Sequence, residues 1–393
     1  MPVDLKKIPE EEPLPAPPDK FRWLLVIVFC VIAGAAIVLV LWPKHLSTHS
    51  IWFWFCTLML PLSAGLIFYI VRLRRYENER DRVIWWNQLV QQQHEEQSKR
   101  GQQEIGVLGI SYATPVASHK LSAALLQGGS ELQTYYSPAR QAVLTTAMFS
   151  PSMATNSVAD YRQRMETQLR AVLYQLQTEL AQFPGQLAVR LHHDNILSNK
   201  QIVAAWNAIF TVPERVYDIQ ISGENHGVMW IDEWLDKEDE TLLLSVEINV
   251  FEQARDQEAE SVSALLLASP GWLTRHKVKP QALIHRPVAF GAVDETVADS
   301  ARWGCLDPTT PWFLWQAQVS GDALAATLQA MDKSGHLSAM NGVRILDDTF
   351  GKPAASVGNI SLICACEHAI ASGLVQWLLI GDTTTQMAVV RSA

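Results

Sequence analysis

The chain has 393 residues, with 31 Lys and Arg against 40 Asp and Glu, a formal charge of −9 and a pI near 5.7. That balance argues against a nucleic-acid binder, because reading phosphates requires a clustered cationic face. The five cysteines are spread too thinly for a disulfide scaffold, so free thiols in a reducing compartment are expected.

Met1 to Lys20 carries six prolines among several charges and has little to bury, which predicts a disordered cytoplasmic tail over residues 1–20. Two apolar stretches follow, Trp23 to Trp42 and Trp52 to Val71, separated by the turn Pro43 to Ser50. Neither contains Asp, Glu, Lys or Arg. Each has about the twenty residues that a bilayer core requires, with Trp23, Trp42, Trp52, Trp54 and Tyr69 near the ends, so residues 21–73 are expected to form a two-helix transmembrane hairpin. Orientation follows from the basic residues. Lys6, Lys7, Lys20 and Arg22 precede the first span, and Arg72, Arg74, Arg75, Arg80 and Arg82 follow the second, while the turn has only Lys44 besides two histidines. A bacterial inner-membrane location with both termini and the soluble part cytoplasmic is the expectation. The long Pro- and Glu-containing leader and the second span argue against a cleaved signal peptide.

Residues 74–104 are charged and Gln-rich, with Val83, Trp86, Leu89 and Val90 at roughly helical spacing, which predicts a juxtamembrane helix. The globular part, roughly 320 residues behind the hairpin, is large enough for one large or two medium domains. An apolar strand at Ile105 to Ile110 opens it. Met165, Leu169, Val172, Leu173, Leu176 and Leu180 mark a helix from Tyr161 to Phe183 that Pro184-Gly185 stops. A strand at Gln186 to His192, a helix near Gln201 to Phe210, and strands at Val216 to Ile221 and Leu242 to Phe251 follow. This alternation predicts an α/β layered architecture. Two domains are expected, 105–240 and 241–393. The second contains an apolar run at Val262 to Leu267, a Pro-rich stretch, helices at Ala323 to Met331 and Ile360 to Ser372, and a hairpin of Val375 to Ile380 with Met387 to Arg391. No repeat of short period is visible.

Motifs for catalysis are sparse. There is no GxSxG elbow, Walker loop, HExxH helix or CxxC pair, and no cofactor is expected. Cys364 and His368 share a face of a helix while Cys366 points away, so a three-ligand metal site would need that helix broken, and its apolar neighbours favour a core helix. His192, His193 and Asp194 end a strand where α/β proteins build sites, but neighbouring residues point to opposite faces. Gly342 to Gly358 reads as a connector rather than a phosphate cradle, because Asp347 and Asp348 repel phosphate. The acidic run around Trp230 and Trp234 is the candidate protein interface: Trp230, Trp234, Glu233, Asp236, Glu238 and Asp239 combine aromatic anchors with charge. The competing reading is that both tryptophans are core.

The segments AESVSALLLASPGWL and ACEHAIASGLVQWLLIGDTTTQMAVVRS, with the hairpin and the acidic α/β part, resemble the adaptor proteins of type VI secretion lipase effectors. The resemblance spans most of the soluble part and rests on no short motif. It implies a non-enzymatic protein that holds a phospholipase effector and delivers it to the secretion spike protein. A second likeness concerns fold. Glu260 to Leu267, a later helix and the closing Leu378 to Val390 hairpin are similar in order to the C-terminal half of thiolase and ketosynthase folds. The first half has no cysteine where such an enzyme would hold its nucleophile, since none lies between Cys56 and Cys305. A thiol-dependent acyl transferase or hydrolase using Cys364 or Cys366 is the alternative.

Overall fold

The computed structural model describes residues 3, 5–43, 46–138, 140–150, 157–210, 215–222, 227–237, 240–336 and 342–393. Contacts divide it into Val3–Ser98 and Lys99–Ala393.

In the first unit, Asp19 caps α1 (Lys20–Leu41) by accepting from the Phe21 N–H. Ser50 caps α2 (Ile51–Trp54), which runs through a π turn at Phe55–Met59 into α3 (Leu60–Gly101). The widened turn has a local cause. Pro61 lacks an N–H and its ring would collide with the carbonyl four residues back, so the helix loosens just before it. The two apolar helices lie antiparallel: Trp23 meets Tyr69 at 5.8 Å and Trp42 meets Phe53 at 5.0 Å between ring centroids. Gly34 permits the close approach, because a Cβ there would sit 2.3 Å from the Pro61 ring. Both helices are long and apolar enough to cross a membrane.

The leader is not the free tail that its composition predicts. Glu12 exchanges two backbone hydrogen bonds with the Asn87 side chain at 2.9 Å each, its carboxylate takes Arg82 at 2.8 Å, and Gln91 donates to Glu11 at 3.0 Å. An extended proline-containing backbone leaves its polar groups unpaired, and the amide of Asn87 satisfies a donor and an acceptor of one residue together.

The second unit starts with β1 (Glu104–Ala113) and α4 (Leu121–Leu126), then a separate hairpin of β2 (Gln133–Ser137) and β3 (Ala142–Thr146). The long helix predicted over 161–183 is two, α5 (Val158–Gln175) and α6 (Gln177–Gln182), broken at Leu176. Next come β4 (Leu187–His193), α7 (Asn199–Ile209), β5 (Val216–Ser222), α8 (Trp230–Leu235), β6 (Leu242–Asn249) and β7 (Ser261–Ala268). The Pro-rich stretch contains α9 (Pro270–His276), β8 (Ala282–His285) and β9 (Val288–Ala289). The chain finishes with α10 (Val293–Trp303), β10 (Trp312–Ala317), α11 (Gly321–Lys333), β11 (Val343–Ile345), α12 (Leu346–Thr349), α13 (Val357–Ser372), β12 (Val375–Gly381) and β13 (Thr385–Ser392).

These strands form one continuous sheet in the order β11-β10-β12-β13-β8-β1-β7-β6-β4-β5, with β9 beside β13. The order is a duplication. In the first half the strands β1, β4, β5, β6, β7 are arranged third-second-fourth-fifth-first, and β8, β10, β11, β12, β13 repeat that arrangement with the same parallel and antiparallel pairings. The halves join where β1 pairs antiparallel with β8, Glu104 opposite His285 and Val107 opposite Ala282. The boundary expected at 240/241 is therefore corrected: β6, read as the opening of a second domain, is the fourth strand of the first half.

Five layers result. Helices α5, α7 and α9 cover the outer face of the first half and α10 and α11 that of the second, each over its own apolar cluster. Between the halves lie α4, α8 and α13, and α13 packs against β6 and β7 on one side and β8, β10, β12 and β13 on the other. A helix enclosed on all sides has to be apolar all round, as Ile360, Leu362, Ile363, Cys364, Ala365 and Cys366 are. Gly373, at φ 71°, ends it in the left-handed conformation.

Two outcomes follow from this architecture. A fragment from Gln102 to Ala393 is expected to unfold in one cooperative transition by calorimetry; two resolved transitions would restore a domain boundary inside the sheet. His285 is fully buried at the seam, where burial, with Arg391 adding to it, lowers its pKa to about 3. The folded state keeps it neutral while the unfolded chain binds a proton below about 6.5, so this residue removes stability as pH falls from about 6.5 toward 3. Across that window His285→Gln should flatten the decline by up to about 1.4 kcal/mol per pH unit in urea titrations.

Candidate functional site

In α/β sheets, ligand sites collect outside the carboxyl ends of parallel strands. Here those ends belong to β4, β5 and β6 in the first half and to β10, β11 and β12 in the second.

The second-half end is tied shut by one residue. Gln318, at φ 58°, donates its backbone N–H to both oxygens of Asp347 at 3.1 and 3.0 Å; its side chain donates to the Gly381 carbonyl at 3.0 Å and accepts from the Ala354 N–H at 2.9 Å. Gly381 is required there, because a Cβ would lie 2.0 Å from the Gln318 oxygen. Burial raises the Asp347 carboxyl pKa, with the Gln318 N–H opposing. The connector that follows β11 thus carries an internal clamp.

The first-half end is a closed web of ion pairs and hydrogen bonds. Asp194 accepts from the Tyr161 hydroxyl at 2.9 Å and from Arg255 at 3.1 Å, and Arg255 also reaches Glu258 at 3.4 Å. Arg164 binds Glu260 at 2.5 Å, and the Phe149 and Phe251 N–H groups donate to the same carboxylate. Burial raises the pKa of Asp194, Glu258 and Glu260, and in each case a facing arginine opposes the rise. His192 and His193 do point apart. Alternation along β4 sends Ala188 into the central cluster and Leu187, Val189 and Leu191 into the outer one. His193 bonds Asn199 at 3.0 Å, and His192 bonds the Ser222 carbonyl at 2.7 Å.

Between these ends, facing the central helices, lies a buried polar core. Arg190 donates to Glu247 at 2.8 Å and to Ser245 at 3.2 Å, and its guanidinium stands 4.7 Å from the centre of the Trp230 ring. The Asn359 N–H fills the other Glu247 oxygen at 2.7 Å, while its side chain bonds Ser245. Gly358 lets the start of α13 press against this pair, since a Cβ would fall 2.4 Å from the Gly227 carbonyl oxygen. Sequence reasoning passed over these residues. The signal was a single charge inside an apolar strand, Arg190 in LAVRLHH and Glu247 in LLLSVEIN.

The acidic run is placed differently from expectation. Trp230 and Trp234 are buried in the central cluster and are not exposed anchors. Asp232 and Asp236 both bind the fully buried Arg286, the latter at 3.0 Å, and Asp236 also takes Arg100 at 2.9 Å. Glu233 is exposed, whereas Glu238 and Asp239 lie outside the described residues.

The cysteines of α13 are core groups. Cys364 and Cys366 are fully buried, and burial, with the Glu367 carboxylate adding to it, pushes both thiols well above their ordinary range. Glu367 accepts from the Tyr112 hydroxyl at 2.5 Å and the Ser122 N–H at 2.9 Å, which fastens α4 to α13. His368 is held by Gln376 at 2.8 Å and stands edge-on to Phe313 and Trp315. Among the described residues, no three His, Cys, Asp or Glu side chains are grouped to hold a metal.

No family model matches this sequence, and no curated protein does. Solved structures do resemble the chain. Ketosynthase twelve of the bacillaene polyketide synthase from Bacillus amyloliquefaciens is 12% identical, with 74% of this chain and 73% of that one covered and a TM-score of 0.52. A β-ketoacyl synthase from Burkholderia phymatum STM815 is 8% identical, with 74% and 100% covered and a TM-score of 0.51. The unit Lys99–Ala393 has a thiolase/ketosynthase-like fold. The likeness anticipated for the C-terminal half thus extends to both halves of the duplication.

Thiol accessibility follows directly from the burial. A maleimide should label Cys305, which is exposed, in the native chain, and reach Cys364 and Cys366 only after denaturation. Rapid native labelling of either, read by mass spectrometry, would mean that α13 is open to solvent.

Proposed function

We propose that this chain is a membrane-anchored binding protein that uses a ketosynthase fold as a scaffold rather than as a catalyst. In this reading the two apolar helices form a two-pass anchor in a bacterial inner membrane, with both termini and the globular unit cytoplasmic. The cargo is the one that the sequence resemblance implies: a phospholipase effector of type VI secretion, passed on to the spike protein.

The observation that carries the reading is the state of the thiols. A ketosynthase-type acyl transfer needs a thiolate at an accessible position. The first half has no cysteine, and the two in α13 are sealed in apolar core with their ionisation suppressed. Cys305 is exposed, but it sits in the turn behind α10, outside the central layer. The loops at both strand ends add support, since Gln318 and the Asp194–Arg255 web fasten them internally. A fold hosts many functions, so the likeness to ketosynthases does not itself bring their activity.

The alternative, a thiol-dependent acyl transferase or hydrolase, differs in one measurement. Replacing Cys305, Cys364 and Cys366 with serine in the full chain should leave the capture of an effector from detergent-solubilised membranes within about twofold of the parent, if folding is confirmed by the thermal transition. Loss of function in a folded triple variant would transfer the weight to the thiol enzyme. Capture of a phospholipase and a spike component by the parent supports the adaptor reading, and recovery of copies of this chain alone counts against it.

A further inference from the structure

We propose that the cleft between the leader and the membrane-proximal end of α3 seats the headgroup of an anionic phospholipid, held by Arg72 and Arg75. The proposal rests on reading α1 and α2–α3 as membrane spans. The cleft has a volume of about 510 Å³; Pro15 and Ala16 of the leader form one wall, and Arg72, Arg75, Tyr76 and Glu79 of α3 the other.

Three features point to a phosphate-bearing amphiphile. The first is charge. Arg72 and Arg75 are three apart on one helix face, and neither has an ion pair or hydrogen bond among the described residues. Their neighbours do: Arg80 pairs with Asp81 at 2.9 Å, and Arg82 pairs with Glu12 and Glu79 at 2.8 and 3.1 Å. Glu79, the carboxylate on the cleft wall, is thus engaged by Arg82.

The second is depth. Arg72 is the first charge after the apolar stretch that ends at Val71. The 5.8 Å contact of Trp23 with Tyr69 brings Lys20 and Arg22 to the same end of the helix pair. Phe68 and Val71 are exposed and lie one turn before Arg72 and Arg75 respectively, so an acyl chain can follow that apolar surface while the phosphate meets the guanidinium groups. Paired guanidinium groups suit phosphate oxygens because each offers a planar fork of donors. The third feature is the wall itself. The leader is fastened by Asn87 and Arg82, which turns an exposed basic helix face into a cleft. A free phosphate ester shares the headgroup chemistry but has no use for the apolar strip.

The test uses the full chain purified in mild detergent and native mass spectrometry with added cardiolipin, phosphatidylglycerol or phosphatidylcholine. The parent should retain the anionic lipids and release phosphatidylcholine. A lipid bound in detergent presents no extended anionic surface, so only an arginine that meets its headgroup contributes the roughly fivefold that one basic residue is worth, and R72Q/R75Q should weaken retention about thirtyfold. R74Q/R80Q removes the same charge away from the cleft and should change retention less than threefold. N87A, which frees the leader, should also weaken retention.

Equal losses in R74Q/R80Q and R72Q/R75Q would overturn the proposal in favour of diffuse attraction. Equal retention of phosphatidylcholine, or displacement of the lipid by millimolar glycerol phosphate, would overturn it too. Carbonate extraction of membranes separates this from the underlying reading: release of the parent into the soluble fraction defeats the span assignment itself.

Discussion

The enclosure of α13 is the constraint on which the globular unit depends. One sheet folds so that strands of both halves face the same helix, and its stretch from Val357 to Cys366 has no side left for water. Every residue from Val357 to Cys366 is buried in consequence. Loss of a leucine or isoleucine side chain from such a site costs about 2–5 kcal/mol, because the surrounding sheet cannot collapse into the gap. The same enclosure fixes the chemistry of the two thiols. A cysteine in this layer behaves as a small apolar residue, and its sulfur gains nothing from ionising.

Arg190 and Arg286 enter this interior as paired charges. Arg190 and Glu247 come from neighbouring strands and meet under the start of α13, where the Asn359 backbone N–H takes the second carboxylate oxygen and the Asn359 side chain bonds Ser245. Arg286 gathers Asp232 and Asp236 in the same way beside α8. Buried pairs of this kind add little net stability, yet removing one partner leaves an uncompensated charge and costs about 3–5 kcal/mol. Arg190 joins β4 to β6 within the first half, and Arg286 joins α8 to the strand end at β8 across the two halves.

This explains what could be read from the sequence and what could not. Local periodicity placed β4, α7, β5, β7, α11, α13 and the β12–β13 hairpin to within a few residues, because each carries its own apolar pattern. The duplication was invisible: the halves share strand order and pairing, which many side-chain sets satisfy, so no repeat of letters survives. Trp230 and Trp234 do share one helix face, as their spacing requires, but the acids around them suggested solvent. Two of those acids, Asp232 and Asp236, belong to Arg286, some fifty residues onward, and a long-range partner leaves no local signal. The buried charges were the readable trace that went unread, a lone Arg or Glu within an otherwise apolar strand.

The leader makes the same point from the opposite direction. Proline and glutamate suggested a chain that could not bury enough to order itself, and by composition that argument is sound. Order comes instead from α3, a preformed helix that presents Arg82, Asn87 and Gln91 at intervals the extended leader can meet. Proline lowers the entropy lost on docking, since its φ is already fixed. The leader therefore needs no core of its own; it needs only a rigid surface with spaced donors. A helix of 42 residues that leaves the apolar stretch and continues without a break supplies that surface, and the Arg72–Arg75 cleft exists only because the two elements are fastened together.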